Sequence, residues 1–336
     1  MLLDIRYRFE YAAVLLLLGI IKLLPKSSHR SLAAVLGRMI YLVPSARKTV
    51  LSNIHCAMPE LEQKEVRRIA KSSFTNMMWN LIEFFWIGGD PRRVELCYRL
   101  PDDICERLKE HLRNDERIIF VNPHLGSWEA SGVMAPFYAG VDMAAIAKPV
   151  RNPYLNRMLN SGNREKIAKL EIIFSKGAVR AAVHALRAGK SLGTLIDQNT
   201  RVRDGGEFVN FFGLPVPSST APAALKRYCD QHDIKCVIMF GTTLRLADGK
   251  NTAFTEYLSK DFSEYADDKE ILQELMNTTE RYIRQYPEQY LWFYKRFQYI
   301  PSDVSPDLRS RYPFYSKEPD AKFYRKVSGT SKQEFK

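Results

Sequence analysis

The spacing of apolar and polar residues changes along the chain, and this change divides it into segments of different predicted structure. Residues 27–100 show mostly helical spacing, and the longest amphipathic run opens near Pro59-Glu60 and ends at Gly88-Gly89-Asp90-Pro91. From about residue 115, short apolar runs alternate with helical patterns. Such alternation is typical of a mostly parallel sheet with helices on its faces, so we predict an α/β fold with a helical N-terminal part.

The apolar runs and the segments between them predict individual strands and helices. The predicted strands are 117–122, 142–147, 171–174, 191–196 and 236–244. The predicted helices are 127–139, 153–168, 177–188, 220–232 and 267–285. Without an evident repeat or linker, residues 27–300 are expected to form one domain, helical over 27–100 and α/β over 101–300. The tail 301–336, rich in Pro, Ser, Tyr and charge, is expected to be irregular.

The N-terminus contains an uncharged apolar run from Tyr11 to Ile21. A helix from Tyr11 to Leu24 would be about 21 Å long, against about 30 Å for the hydrocarbon core of a bilayer. No cleavage site of a signal peptide follows. We therefore expect residues 1–26 to form an uncleaved membrane anchor, either a short tilted span or a helix in the interface. A buried core helix is the alternative.

Composition and charge narrow the classes of partner. The chain has 336 residues with 50 Lys and Arg against 38 Asp and Glu, a net charge of +12. This excess favours an anionic partner: an acidic membrane surface, an acidic carrier protein or nucleic acid. Nucleic acid is not expected, because zinc-finger, RNP-like and arginine-rich motifs are missing. The 5 cysteines form no CxxC pair and predict neither a disulfide framework nor a metal site.

The segment VNPHLGSWEASG, residues 121–132, contains the candidate chemistry. His124 follows a predicted strand that the Asn-Pro step closes, where open α/β sheets bind ligands. Glu129 would lie in the first helical turn and could fold back to one imidazole nitrogen, leaving the other as a general base. Gly126 and the N–H groups at the helix start would receive an oxyanion. This arrangement suits acyl transfer from a thioester to an alcohol without a covalent enzyme intermediate.

The pattern of one His and one Glu is weak evidence by itself, since many histidines are structural. Competing motifs are missing: GSWEASG is not a GxSxG elbow, and HExxH, P-loop and GxGxxG motifs do not occur. Ser127 is expected to cap the helix rather than to act as a nucleophile.

HLGSWE resembles the H-x4-D/E motif of the lysophospholipid acyltransferase superfamily, in its H-x4-E form. Further ordered segments are similar to the bacterial lipid A late acyltransferases, so that the resemblance covers about residues 1–298. These segments are 47–77, KPVRNPYLN (148–156) followed by Arg164, LIDQNT (195–200), NFFGLPVPSST (210–220) and YPEQYLWFYKRF (286–297).

The resemblance implies transfer of a fatty acyl chain, usually from acyl-carrier protein, to a hydroxyl of an acylated glycolipid at the cytoplasmic face of the bacterial inner membrane. No cofactor or metal is implied. His124 would be the base and Glu129 its partner, and Asp197 with Gln198 would complete or brace the site. The implied substrate-binding residues are Lys148, Arg151, Arg164, Asp197 and Gln198.

These carried-over residues also have ordinary structural interpretations. Asp197 could be a turn residue, Arg164 an exposed helix charge, and Lys148 with Arg151 a non-specific contact to lipid phosphate. Two positions depart from the family: Lys148 replaces a frequent Arg and Tyr294 a frequent His. They leave the acceptor open more than the reaction. Within the enzyme class, the alternative is acylation of another lipid, such as a lysophospholipid or a phosphatidylinositol mannoside, with acyl-CoA as an alternative donor. A non-catalytic basic lipid-binding membrane protein is the rival class.

Overall fold

Seven strands form the central sheet of the computed structural model, which describes residues 2–160, 168, 170–174 and 177–325. In chain order the strands are β1 (Tyr98–Arg99), β2 (Arg117–Asn122), β3 (Met143–Ala147), β4 (Glu171–Phe174), β5 (Ser191–Leu195), β6 (Gly206–Phe211), β7 (Leu214–Ser219), β8 (Cys236–Arg245) and β9 (Asn251–Tyr257). The sheet order is β1-β9-β8-β2-β5-β3-β4, and β6 pairs only with β7.

Five neighbouring strands, from β8 to β4 in the sheet order, run parallel. β9 is antiparallel to β8, and β1 is parallel to β9. The predictions of a mostly parallel sheet, flanking helices and a helical N-terminal part are therefore confirmed. The β6–β7 hairpin was not predicted, because Pro215 and Pro217 count against a strand. The hairpin tolerates them because neither of its strands pairs with a third strand in the described part of the chain.

Thirteen helices surround the sheet in the described residues. They are α1 (Leu2–Leu23), α2 (His29–Tyr41), α3 (Pro44–Ala57), α4 (Gln63–Ile87), α5 (Pro91–Cys97), α6 (Asp102–Arg113), α7 (Trp128–Ala139), α8 (Pro153–Arg157), α9 (Ala178–Arg187), α10 (Ala221–Gln231), α11 (Asp268–Gln285), α12 (Pro306–Ser310) and α13 (Ala321–Tyr324). The prediction of helix over 153–168 falls partly outside the described residues.

The N-terminal helices α1 and α2 both pack against α4. Leu18 and Ile21 of α1 are buried, whereas other apolar side chains of this helix are exposed. Gly37 of α2 crosses α4 closely, since a Cβ there would lie 2.8 Å from the backbone nitrogen of Thr75. Over the described part of the chain, no helix combines the length and the apolar character that crossing a membrane requires.

The hydrophobic core lies on both faces of the sheet. Side chains of a strand alternate between faces, and β2 shows this directly. Ile119 and Val121 belong to one buried cluster, and Ile118 and Phe120 to the other. Because both faces are covered, polar groups at this strand become accessible only beyond its ends. The described part of the C-terminal tail contains α12 and α13, so it is not wholly irregular.

Candidate active site

His124 and Asp197 meet at the carboxyl edge of the sheet. β2 and β5 are parallel neighbours, with Asn122 opposite Leu195, and each of the two side chains follows its strand by two residues. The ring Nδ1 of His124 lies 2.7 Å from one carboxylate oxygen of Asp197. The backbone N–H of His124 donates to the other oxygen at 2.9 Å. Both residues are buried.

The contacts of the imidazole define the role of each ring nitrogen. An ionised carboxylate only accepts hydrogen bonds, so the proton is bound to Nδ1, and this N–H donates a hydrogen bond to Asp197. Nε2 then has the lone pair, as a general base requires. The side-chain nitrogen of Gln198 lies 3.1 Å from this Nε2, and its N–H donates to the lone pair.

The charge of Asp197 is stabilised by its surroundings. Burial by itself would raise the pKa of this carboxyl. The electrostatic attraction and the two hydrogen bonds of His124, together with the nearby Arg296 guanidinium, outweigh burial, and the pKa of Asp197 is lowered from its ordinary value. Asp197 is therefore a carboxylate at neutral pH, able to stabilise an imidazolium.

The expectation that Glu129 turns back to an imidazole nitrogen is wrong for this structure. Asp197 lies at Nδ1 and Gln198 at Nε2. The reason is the strand order, which brings the end of β5 next to the end of β2 and is not visible in local spacing. Glu129 lies in the first turn of α7, one residue after Trp128, whose ring centroid is 5.5 Å from that of His124. A catalytic role of Glu129 stays a prediction.

A small apolar cavity of about 90 Å³ adjoins the first turn of α7. Glu129 and Trp128 line its edge, and Met143, Ile172 and Leu195 are among its apolar walls. The cavity lies between α7 and the sheet, and His124 is not among the residues that line it.

The turn at Gly126 forms hydrogen bonds with three distant parts of the chain. Its N–H donates to the carbonyl of Gln289 at 2.9 Å, and its carbonyl accepts from the Asn80 amide at 2.7 Å. The N–H of Ser127 donates to the Thr243 carbonyl at 2.9 Å. The prediction that the Gly126 N–H is an open oxyanion donor is therefore wrong, because that N–H already has an acceptor.

Only glycine fits at this turn. Gly126 has φ +61°, in the left-handed region, and a Cβ there would lie 1.7 Å from the carbonyl oxygen of Thr243. The close approach allows the turn to bond directly to the end of β8, which fixes the position of His124 two residues earlier.

A buried ionic network supports this turn from behind. Arg245 binds both oxygens of Glu83, at 2.9 and 2.8 Å, and donates to the Asn80 side-chain oxygen at 2.9 Å. The Gln289 side chain bonds the backbone of Arg245 in both directions. Sequence reasoning missed these residues, although Glu83 inside the apolar run LIEFFW was a signal, since an acid in such a run needs a buried partner.

Two of the other predicted substrate-binding residues, Lys148 and Arg151, lie beyond the same edge of the sheet. Lys148 and Arg151 are exposed in the loop between β3 and α8. β3 is next to β5 in the sheet, so this loop leaves from the carboxyl edge that includes Asp197. Arg164 lies outside the described residues.

Comparison with known proteins gives a family. Residues 2–299 match the sequence profile described as bacterial lipid A biosynthesis acyltransferase. The lipid A biosynthesis myristoyltransferase of Escherichia coli (strain K12) is 25% identical over 317 residues, covering 90% of this chain and 91% of the relative. Lipid A biosynthesis acyltransferase 1 of Shigella flexneri shows the same 25% identity, with the same shares of 90% and 91%. The resemblance seen in the ordered motifs is thereby confirmed.

Proposed function

The chain belongs to the bacterial lipid A biosynthesis acyltransferases, and from this premise we propose that it moves a fatty acyl chain from an acyl-carrier-protein thioester to a hydroxyl of a lipid A precursor or similar glycolipid. One observation supports this proposal above all, the hydrogen bond between Nδ1 of His124 and Asp197. Because Nδ1 is the donor in this bond, Nε2 has the lone pair and is proposed as the base.

The proposed reaction is a direct transfer. Nε2 of His124 takes the proton of the acceptor hydroxyl while the hydroxyl oxygen attacks the thioester carbonyl. The tetrahedral intermediate collapses, the C–S bond breaks, and the imidazolium returns its proton to the leaving thiolate. Asp197 stabilises the imidazolium between these two proton transfers. The products are an ester and a free thiol.

Gln198 is proposed to yield its position to the acceptor. Its amide N–H donates to the lone pair of Nε2 in the structure. The hydroxyl that loses its proton must lie at the same place, about 3 Å from Nε2. The amide therefore rotates away on binding, and it is then close enough to bond to the acceptor oxygen.

Glu129 is proposed as the second acid of the site, on the side of the apolar cavity. The thioester carbonyl would lie near the first turn of α7, whose N–H groups and positive dipole end stabilise an oxyanion in place of Gly126. Lys148 and Arg151, with Arg164, are proposed to bind phosphate groups of the substrates.

The protein is proposed to work at the cytoplasmic face of the bacterial inner membrane. α1 exposes several large apolar side chains, including Phe9, Leu16 and Leu23, at 73%, 71% and 87% exposure. With the net charge of +12, this helix suits a position in the interface of an anionic bilayer.

The test uses purified full-length protein with acyl-carrier-protein thioester and a lipid A precursor. We expect ester formation by the wild type and a fall of about 10²–10⁴ for His124→Ala. His232→Ala, at an exposed histidine after α10, is the matched control and should retain activity. Acyl-CoA and lysophospholipid arms identify the donor and acceptor. Wild-type turnover by His124→Ala would exclude the base, and salt-sensitive vesicle binding without turnover would favour the non-catalytic class.

A further inference from the structure

A second and larger cleft opens between α2, α4 and the β8–β9 turn. Its volume is about 1070 Å³. Arg30 and Arg38 line it from α2, and Lys71 lines it from α4. All three are exposed at the surface of the chain. Among the described residues, the four predicted for substrate binding, Lys148, Arg151, Asp197 and Gln198, do not line this cleft.

Some cations that line the cleft are in ion pairs with carboxylates, and others are not. Arg245, at the back, is paired with Glu83, and Asp248 at the rim is paired with Arg99. In contrast, Arg30, Arg38 and Lys71 form no ion pair with a carboxylate of the described chain. The remaining lining acid is Glu288, so the cleft has an excess of positive charge. Like charges that line one cleft repel one another, and a bound anion relieves this repulsion.

An apolar surface adjoins the cationic wall on the same helix. Val35 and Met39 of α2 are 54% and 61% exposed, and Leu42, directly after α2, is 69% exposed. Residues three, four and seven apart lie on one side of a helix, so these three form a continuous stripe beside Arg38. Leu42 also lines the cleft. A ligand with an anionic group and an apolar chain matches both surfaces.

The cleft is connected to the catalytic turn by direct bonds. Gln289 lines the cleft, and its carbonyl accepts from Gly126. Arg245 also lines the cleft and bonds to Asn80, which in turn bonds to the Gly126 carbonyl. A ligand in the cleft therefore lies against the residues that position the turn of His124.

We propose that this cleft binds the phosphate group of a phosphorylated acyl lipid, with Arg38 and Lys71 as the main phosphate ligands. The acyl chains lie along Val35, Met39 and Leu42. Two sources share this chemistry, an anionic phospholipid of the bilayer and a phosphorylated glycolipid. The site is separate from the His124 base, and binding here does not require turnover.

The binding test compares two double variants with equal net charge. Arg38→Ala/Lys71→Ala removes cleft cations, and Lys269→Ala/Lys322→Ala removes exposed lysines elsewhere. Binding is measured to three kinds of phosphatidylcholine vesicle. The first contains phosphatidylglycerol, the second contains a phosphorylated lipid A precursor, and the third contains the dephosphorylated form of that precursor. We expect roughly tenfold to thirtyfold weaker binding to phosphorylated lipid for the cleft variant only. Equal losses in both variants would mean non-specific attraction and would overturn the site.

Separate binding measurements test the apolar stripe and identify the lipid that provides the phosphate. Leu42→Ser should weaken lipid binding, whereas Val179→Ser, at another exposed apolar position of 54% exposure, should not. A cleft that binds inorganic phosphate as tightly as lipid would contradict the role of the stripe. Preference for the precursor over phosphatidylglycerol identifies the glycolipid source, and the reverse identifies the bilayer. Binding by His124→Ala protein separates failure of this site from failure of catalysis.

Discussion

Asp197 receives two hydrogen bonds from His124, one from the ring and one from the backbone N–H. The carboxylate thus fixes both the side chain of His124 and the segment of backbone from which it projects. We therefore expect Asp197 and His124 to behave as one unit.

The first prediction concerns this pair. In Asp197→Asn the amide is able to donate to Nδ1, which stabilises the tautomer with its proton on Nε2 and removes the base. We expect kcat to fall by about 10²–10⁴, with a melting temperature that shows a folded protein. Glu129→Gln in the same assay measures how far the second acid contributes. An Asp197→Asn protein with wild-type kcat would contradict the assignment.

Gln198 gives a prediction with a defined pH dependence. In Gln198→Glu a carboxylate replaces the amide beside Nε2, and it stabilises the protonated imidazole. Activity near neutral pH should fall, and it should recover as the pH rises and the imidazolium loses its proton. Gln198→Ala lacks this charge and should show no such recovery. The measurement is kcat/KM against pH for both variants, and identical profiles would exclude the proximity of residue 198 to the base.

Gly126 and Gly140 form a matched pair of glycines with positive φ, +61° and +74°. A Cβ at Gly140 would meet no atom within 4 Å, whereas at Gly126 it would collide with Thr243. Gly140→Ala should therefore cost only about 1 kcal/mol of unfolding free energy, from backbone strain. Gly126→Ala should cost several times more and abolish activity. Urea denaturation with activity measurements checks both, and equal costs would contradict the described turn.

The buried pair of Glu83 and Arg245 predicts a large loss of stability. Glu83→Gln leaves the Arg245 guanidinium buried without its counter-charge, at a cost of about 3–5 kcal/mol. The control is Glu65→Gln, which breaks an exposed pair with Arg68 and should cost less than about 1 kcal/mol. Denaturant unfolding of the two variants and the wild type gives the comparison. A small cost at Glu83 would mean that Arg245 is solvated.

His29 predicts acid sensitivity of the fold. Burial, with the nearby cations Lys26, Arg245 and Arg93, lowers the pKa of His29 to about 4. An unfolded histidine has a pKa of about 6.5, so between these values only the unfolded chain binds the proton. The unfolding free energy should fall as the pH decreases from about 6.5 to 4, by up to about 1.4 kcal/mol per pH unit from this group.

The contribution of His29 is isolated by a substitution. His29→Phe retains an aromatic ring against Trp86, which the imidazole contacts edge-on at 5.0 Å between centroids. The difference in unfolding free energy between variant and wild type should change across this pH window and be constant above it. A constant difference throughout would exclude the buried neutral histidine.

Features that arise from local pattern were predictable from the sequence. β2 reads as a buried strand, and the Asn-Pro step after it correctly indicates that His124 lies beyond the strand end. The alternation of short apolar runs and helices predicts the parallel part of the sheet. These features depend on residues that are close in the chain.

Features that arise from strand order were not predictable in detail. Asp197 was expected to complete or brace the site, but only the pairing of β2 with β5 brings it to Nδ1 in the position expected for Glu129. The acceptor of the Gly126 N–H, Gln289, is more than a hundred residues away in the sequence. The spacing of residues within a motif does not predict such a partner, because the groups that accept hydrogen bonds from a turn are brought to it by the tertiary structure.

The turn before α7 has one further consequence, for the order in which its supporting residues are synthesised. Its bonds come from Asn80, Thr243 and Gln289, and the N–H of Leu291 donates to the His124 carbonyl. A nascent chain that ends before residue 286 contains His124, Asn80 and Thr243, but it lacks Gln289 and Leu291. We therefore expect the turn of His124 to reach its described position only after this later segment has been synthesised and has folded against it.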